Sequence, residues 1–203
     1  DGMGRSWATS DVRGVDEDNE GRIWVATLAG IVCADGDQVK TYTGQDGLPY
    51  NDFTSVHCAE DGSVWFSTHK GIIRFKDDQW AYRQGKRWLP DDDVHNVVVD
   101  AAGDVWVATK NGVGRIEFRD MTLADKAAYY ENEVEKYIKR TPYGYTAESS
   151  FAEAGNRDSK VTHHDSDNDG LWTAMYGAGE CYAYAATKDP KAKERATAAF
   201  KAL

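Results

Sequence analysis

The segments GRIWVATLAGI at 21–31, GSVWFSTHKGI at 62–72 and GDVWVATKNGV at 103–113 align without a gap, and this repetition limits the possible fold more than any other feature. An offset of 41 residues relates Trp24, Trp65 and Trp106, then Thr27, Thr68 and Thr109, then Gly30, Gly71 and Gly112. Gly47-Leu48-Pro49 returns as Trp88-Leu89-Pro90, and Asp11-Val12, Asp52-Phe53 and Asp93-Val94 keep the same register. Constant spacing over three copies implies one small structural unit used three times, each copy needing neighbours to cover its apolar faces.

The unit reads as β-structure. Residues 93–100 (DVHNVVVD) and 104–109 (DVWVAT) are short strand-forming runs on either side of the turn Ala101-Ala102-Gly103. Trp106 and Ala108 fall on one face and Val105 and Val107 on the other, so both faces are apolar, as in a strand between two neighbouring sheets. Gly112 follows the small turn Lys110-Asn111, where a positive φ costs little. The next strand is expected over residues 113–118. About four short strands in a repeat of this length is the size of a propeller blade.

The order Leu-Pro, Asp-apolar, turn Gly, Trp-Val-Ala-Thr and Gly-Val/Ile resembles the two-component-regulator propeller repeat, over roughly residues 5–118. That resemblance implies β-propeller blades of the type found in the periplasmic ligand-binding sensors of hybrid histidine kinases and in secreted, carbohydrate-active proteins. It implies a periplasmic or extracellular location. Because propellers close with roughly four to eight blades, about three blades make an incomplete ring. Ser6-Trp7-Ala8 stands in the Leu-Pro position, and a helical pattern runs on through Phe200 and Leu203. The chain is therefore expected to be part of a longer polypeptide, or to have its remaining blades supplied in cis or by another chain.

Charge narrows the partners. With 24 Lys and Arg against 34 Asp and Glu, the net charge is −10, which disfavours nucleic-acid binding. No apolar run is long enough to span a membrane. Cys33, Cys58 and Cys181 are too few and too far apart for a disulfide framework, and read as small buried apolar residues.

The three repeated tryptophans read as core, and Asp18, Glu60, Asp61 and Asp100 as turn formers. Residues that break the repeat are better ligand candidates: His57, His69, Trp80, Tyr82, Arg83, Arg87 and Trp88. The stretch from Trp80 to Trp88 mixes Arg with aromatic groups, a composition suited to a carbohydrate or peptide, or to packing between blades.

The strand pattern stops at Met121, dividing a repeat domain, residues 1–120, from a helical domain, residues 121–203. Thr122 and Asp125 form an expected capping box, and Leu123, Ala127, Tyr130, Val134, Tyr137 and Ile138 form an apolar stripe. Lys136, Lys139 and Arg140 lie near the helix end, which Pro142 closes. Residues 143–151 are ambiguous, and residues 154–169 read as a long loop. A second helix is expected from Leu171, with Asp169 as N-cap. Its small residues Gly177, Ala178, Gly179, Ala183, Ala185 and Ala186 suit close packing. Asp189-Pro190 starts a third helix. The resulting αα-hairpin is similar to one hairpin of the α/α-toroid domains of polysaccharide lyases and glycoside hydrolases.

The densest chemistry is His163-His164-Asp165-Ser166-Asp167-Asn168-Asp169-Gly170. Asp165, Asp167 and Asp169 at alternate positions match the first half of an EF-hand calcium loop, with Leu171 supplying a carbonyl and Thr173 the ninth position. The twelfth position is Tyr176 where that loop requires a bidentate Glu. A catalytic alternative makes His163 or His164 a base and Asp167 or Asp169 an acid or orienting group, with Tyr143, Tyr145 or Arg140 near. The expected function is an extracytoplasmic ligand-binding or sensing module for carbohydrate. The alternative is a fragment of a secreted polysaccharide lyase or hydrolase with its site near residues 163–170.

Overall fold

A computed structural model describes residues 11–138, 143–153 and 156–203, which form two compact units, Asp1–Arg119 and Asp120–Leu203. The expectations placed on Trp7, Lys139, Arg140 and Pro142 lie outside the described residues.

In the first unit each repeat forms its own antiparallel sheet. Strands β1 (Val12–Glu17), β2 (Ile23–Thr27), β3 (Gly30–Asp35) and β4 (Gln38–Tyr42) pair in chain order. Strands β5 (Phe53–Cys58), β6 (Val64–Thr68), β7 (Gly71–Lys76) and β8 (Gln79–Arg83) repeat that order. The third sheet has only β9 (Val94–Val99), β10 (Val105–Thr109) and β11 (Gly112–Ile116). Where the repeat would place a fourth strand, residues 120–124 lead into a helix. No closed ring forms among the described residues.

The repeated residues do the same work each time. Thr27, Thr68 and Thr109 donate their hydroxyls to the carbonyls of Gly30, Gly71 and Gly112, at 2.8, 2.8 and 2.7 Å. Those glycines have φ of 131°, 116° and 131°. In the first two sheets a Cβ there would run into the carbonyl oxygen of Tyr42 or Arg83 on the fourth strand. Every first strand also carries a bulge, at Arg13, Thr54 and His95, which adds local twist.

The sheets stack face to face. Trp24 and Tyr42 of the first sheet meet Phe53, Phe66 and Phe75 of the second in one aromatic core. The second core joins Trp65, Ile72 and Leu89 to Val94, Val97, Val105 and Val107. All of β6 is buried, so the central sheet has the two-sided burial expected of a blade. Strand β10 is buried on one side only, at Val105 and Val107. Trp106 is 38% exposed, against 0% for Trp24 and 4% for Trp65. The reading of all three indoles as core is corrected at Trp106, whose face meets no further sheet among the described residues.

Each indole N–H has a built acceptor. Trp24 and Trp106 donate to Asp18 and Asp100 at 2.7 Å. In the second repeat Ala59 stands at the Asp18 position, and Trp65 donates instead to Ser63 Oγ at 2.9 Å, which donates on to Asp61 at 2.5 Å. These aspartates also accept backbone N–H groups of their turns. A guanidinium lies near each ring: Arg22, Arg74 and Arg115 at 5.7, 5.9 and 5.6 Å from the centroids. Arg74 and Arg115 sit across the ladder from their tryptophans. Cys33 takes that place in the first sheet, and Arg22 supplies the cation from the turn.

Burial raises the Asp61 carboxyl, but hydrogen bonds from Lys76 and Ser63 outweigh it and bring the pKa from 3.8 to about 2. A folded-state pKa below the unfolded value stabilises the fold above pH 3.8, and the contribution disappears as pH falls through about 2. Asp61 is half exposed, so the effect is expected to stay below about 1 kcal/mol. Unfolding titrations should show the wild type losing more stability than Asp61→Asn across that acid window.

In the second unit, helix α1 (Leu123–Glu133) starts at the expected capping box and continues as a π-helical turn over Val134–Ile138. Its apolar stripe is not a buried face. Leu123 is 86% and Tyr130 51% exposed, and only Tyr137 is buried, against Phe151. Strands β12 (Glu148–Phe151) and β13 (Val161–His164) pair as an antiparallel hairpin. The long-loop reading of residues 154–169 is therefore corrected at residues 161–164, since an exposed two-stranded hairpin requires no apolar alternation. Helices α2 (Asp169–Thr187) and α3 (Pro190–Ala202) form the expected αα-hairpin, turning at Lys188 with Asp189 as N-cap. Close packing falls on Gly177, whose added Cβ would sit 3.0 Å from the Ala199 methyl, while Gly179 has open space. Cys181 is exposed on α2, unlike the buried Cys33, which corrects its reading as core.

Candidate functional site

The ligand stretch in the second sheet separates into two sets. On β8, Trp80 and Tyr82 face inward against the aromatic core, and Trp80 Nε1 donates to the Asp46 carbonyl at 2.9 Å. The Tyr82 hydroxyl donates to the Lys70 carbonyl. Both side chains are committed to packing. Arg83 and Arg87 hold guanidinium groups 4.8 and 5.6 Å from the Trp88 ring, which is 38% exposed. Of the repeat-breaking histidines, His57 lies 3.6 Å from Asp16, and His69 bonds Asp93 at 2.5 Å.

The acidic loop does not assemble as an EF-hand. Helix α2 begins at Asp169, so Leu171 and Thr173 are in regular helix and not in a loop wrapped around a cation. Asn168, not Asp169, occupies the N-cap position, and Asp169 Oδ2 accepts the Ser166 N–H at 3.2 Å. Thr173 is fully buried, donating to the Asp169 carbonyl and accepting the Thr146 N–H at 3.0 Å. Asp165 and Asp167 are exposed. Among the described residues no group of three or more His, Cys, Asp or Glu side chains is disposed to hold a metal ion. The histidines are occupied in the hairpin: His163 Nε2 lies 3.1 Å from the Tyr137 carbonyl, and His164 Nε2 lies 2.7 Å from Ser150 Oγ.

A cavity of about 510 Å³ lies beside that loop, within the second unit. Its volume is in the range of small-ligand sites, about 300–1,000 Å³. Val134 and Ile138 from the π-helical turn and Trp172 from α2 supply apolar wall, and Trp172 is 46% exposed. Ser149, Ser166 and Asn168 contribute neutral hydrogen-bonding groups, with Glu148 a lone carboxylate on the lining. Glycoside hydrolysis with two carboxylates flanking the scissile bond has only one such group on this lining.

Sequence reasoning missed the charged group behind this cavity. The Tyr176 hydroxyl donates to Glu131 at 2.8 Å, and Arg195 lies 2.9 Å from Glu131 and 3.3 Å from Glu180. Burial and the Glu131 carboxylate push Glu180 up against the pull of Arg195, and likewise push the Tyr176 phenol up. One guanidinium within ion-pair reach of Glu131, Glu180 and, at 3.9 Å, Glu135 joins α1 and its π-helical turn, α2 and α3. No sequence spacing announces it, because Glu131 and Arg195 come from helices other than α2, which carries Tyr176 and Glu180.

No family model matches this sequence, and no curated protein matches it. The fold is similar to a catalytically inactive virginiamycin B lyase from Staphylococcus aureus, at TM-score 0.45 and 17% identity, covering 80% of this chain and 43% of that one. It is also similar to extracellular domains of two hybrid two-component systems from B. thetaiotaomicron. One has TM-score 0.46 and 17% identity over 54% of this chain and 16% of that one; the other has TM-score 0.40 and 16% identity over 81% of this chain and 28% of that one. The chain thus spans less than half the length of these solved structures.

Proposed function

We propose that this chain is an extracytoplasmic carbohydrate-binding module, with its ligand seated in the cavity walled by Trp172. The carrying observation is the composition of that wall. A pyranose ring presents C–H faces and a rim of hydroxyls, so it calls for a flat apolar surface edged by neutral donors and acceptors. Trp172 offers the surface, and Ser149, Ser166 and Asn168 offer the edge. The location outside the cytoplasm rests on the propeller-repeat resemblance. No helix among the described residues is long and apolar enough to cross a membrane.

The test is titration calorimetry of the chain against neutral oligosaccharides cut from β-glucan, xylan and mannan. At least one class is expected to bind, and Trp172→Ala is expected to weaken it about 30-fold, equivalent to roughly 2 kcal/mol. Circular dichroism should show that variant folded, since the side chain is half exposed. Absence of binding to every class overturns the reading. A loss produced by Trp88→Ala in place of Trp172→Ala moves the site to the Arg83–Trp88–Arg87 surface.

A further inference from the structure

Trp172, Tyr176 and Glu180 follow one another at four-residue steps and so share one face of α2. The first two line the cavity of about 510 Å³, together with Val134 and Ile138 of the π-helical turn. Glu180, only 8% exposed, lines a second cavity of about 360 Å³ among α1, α2 and α3. Tyr176 joins the two. It lines the first, and its hydroxyl donates at 2.8 Å to Glu131, which lines the second.

The charges around Glu180 are unequal. Glu131 of α1 is within hydrogen-bond reach of its carboxyl, and Glu135 of the π-helical turn and Asp189 before α3 line the same cavity. Against them stands Arg195 of α3, at 2.9 Å from Glu131, 3.3 Å from Glu180 and 3.9 Å from Glu135. Lys191 and Glu194 share a neighbouring groove with Glu135 and Arg195. Two adjacent buried carboxylates repel, and one guanidinium shared between them does not cancel that repulsion. Burial, then Glu131, raise the Glu180 carboxyl above its ordinary 4.5 against the pull of Arg195, and the same two causes keep the Tyr176 phenol a donor.

We propose that Glu180 is a proton-operated latch on the Trp172 cavity. Protonated, it donates to Glu131 and holds α2 against α1. Ionised, it repels Glu131 and Glu135, and α2 draws away from α1, carrying Tyr176 and Trp172 from Val134 and Ile138. A carboxyl raised in the folded state gives stability that is complete below pH 4.5 and lost as pH rises through the folded value. The latch therefore closes in acid. Its effect on a ligand rests on the carbohydrate reading of that cavity, whereas the latch itself does not.

Nuclear magnetic resonance reads the latch without ligand, through the Trp172 indole N–H signal, assigned by its loss in Trp172→Phe. Over about pH 4–8 the wild-type signal is expected to move with a one-proton titration centred above pH 4.5. Glu180→Gln keeps a donor for Glu131 and an acceptor for Arg195, so it is expected to fold and to lack that titration. Glu131→Gln removes the neighbouring charge and is expected to move the midpoint to lower pH. For an oligosaccharide whose binding needs Trp172, the wild-type Kd is expected to rise about tenfold from acid to neutral pH and to stay constant in Glu180→Gln. A Trp172 signal that does not titrate overturns the latch. So does a titration that survives unchanged in Glu180→Gln, which then belongs to another group such as His163 or His164, or a wild-type Kd independent of pH. Failure of every oligosaccharide to bind overturns only the carbohydrate reading, because the indole signal decides the latch by itself.

Discussion

Replacing Trp24 by alanine is expected to cost about 4 kcal/mol of unfolding free energy, and the same replacement at Trp106 less than about 1 kcal/mol. The two residues are equivalent by repeat position and share the same hydrogen bond to a turn aspartate. Their packing differs. The Trp24 ring lies 5.3 Å from Phe75, 5.9 Å from Tyr42 and 6.0 Å from Phe66, and its removal leaves a cavity between two sheets. Trp106 has sheet on one side only. Urea unfolding followed by far-ultraviolet circular dichroism measures both. Equal losses at the two sites would mean that the second face of the third sheet is covered in solution.

A second contrast of comparable size concerns the turn glycines. Gly71→Ala is expected to destabilise by about 3 kcal/mol or more, and Gly112→Ala by about 1–2 kcal/mol. Both substitutions place a Cβ at a positive φ. Only at Gly71 does the new methyl also meet the backbone carbonyl of Arg83, which is fixed by the ladder of β7 with β8. The Gly71 N–H is itself bonded to the Asp92 carbonyl at 2.7 Å, so the turn has little room to shift. Thermal unfolding of the pair separates strain from collision, and identical losses would show that the fourth strand adds no constraint.

Much of the first unit was legible because translation by a fixed number of residues also translates structure. Trp, Thr and Gly positions repeat, and so do their hydrogen bonds. A repeat says nothing, however, of how many neighbours each copy has, so Trp106 looked like its equivalents until its uncovered face was seen. In the second unit the capping box of Thr122 and Asp125 was local and readable, and Asp189-Pro190 marked its helix correctly. Strand β13 was hidden because Val161-Thr162-His163-His164 lies exposed and shows no alternation. The Asp165, Asp167 and Asp169 spacing assigns no single role, because aspartates before a helix serve equally well in its first turn, as Asp169 does. The cavity wall was illegible for another reason: it draws on a helix end, a strand, a loop and Trp172, whose mutual distances follow no spacing rule.

The bulge in each first strand frees one position per repeat from the ladder. At Arg13, Thr54 and His95 one residue stands outside the regular cross-strand pairing of its sheet. Arg13 and His95 turn to an aspartate two positions back, while Thr54 reaches the Val94 carbonyl of the next sheet. The three copies have already diverged into a cation, a hydroxyl and an imidazole without disturbing the ladders beside them. Such positions accept different side-chain chemistry, a surface cation at Arg13 or an inter-sheet hydrogen bond at Thr54, without altering the scaffold that displays it.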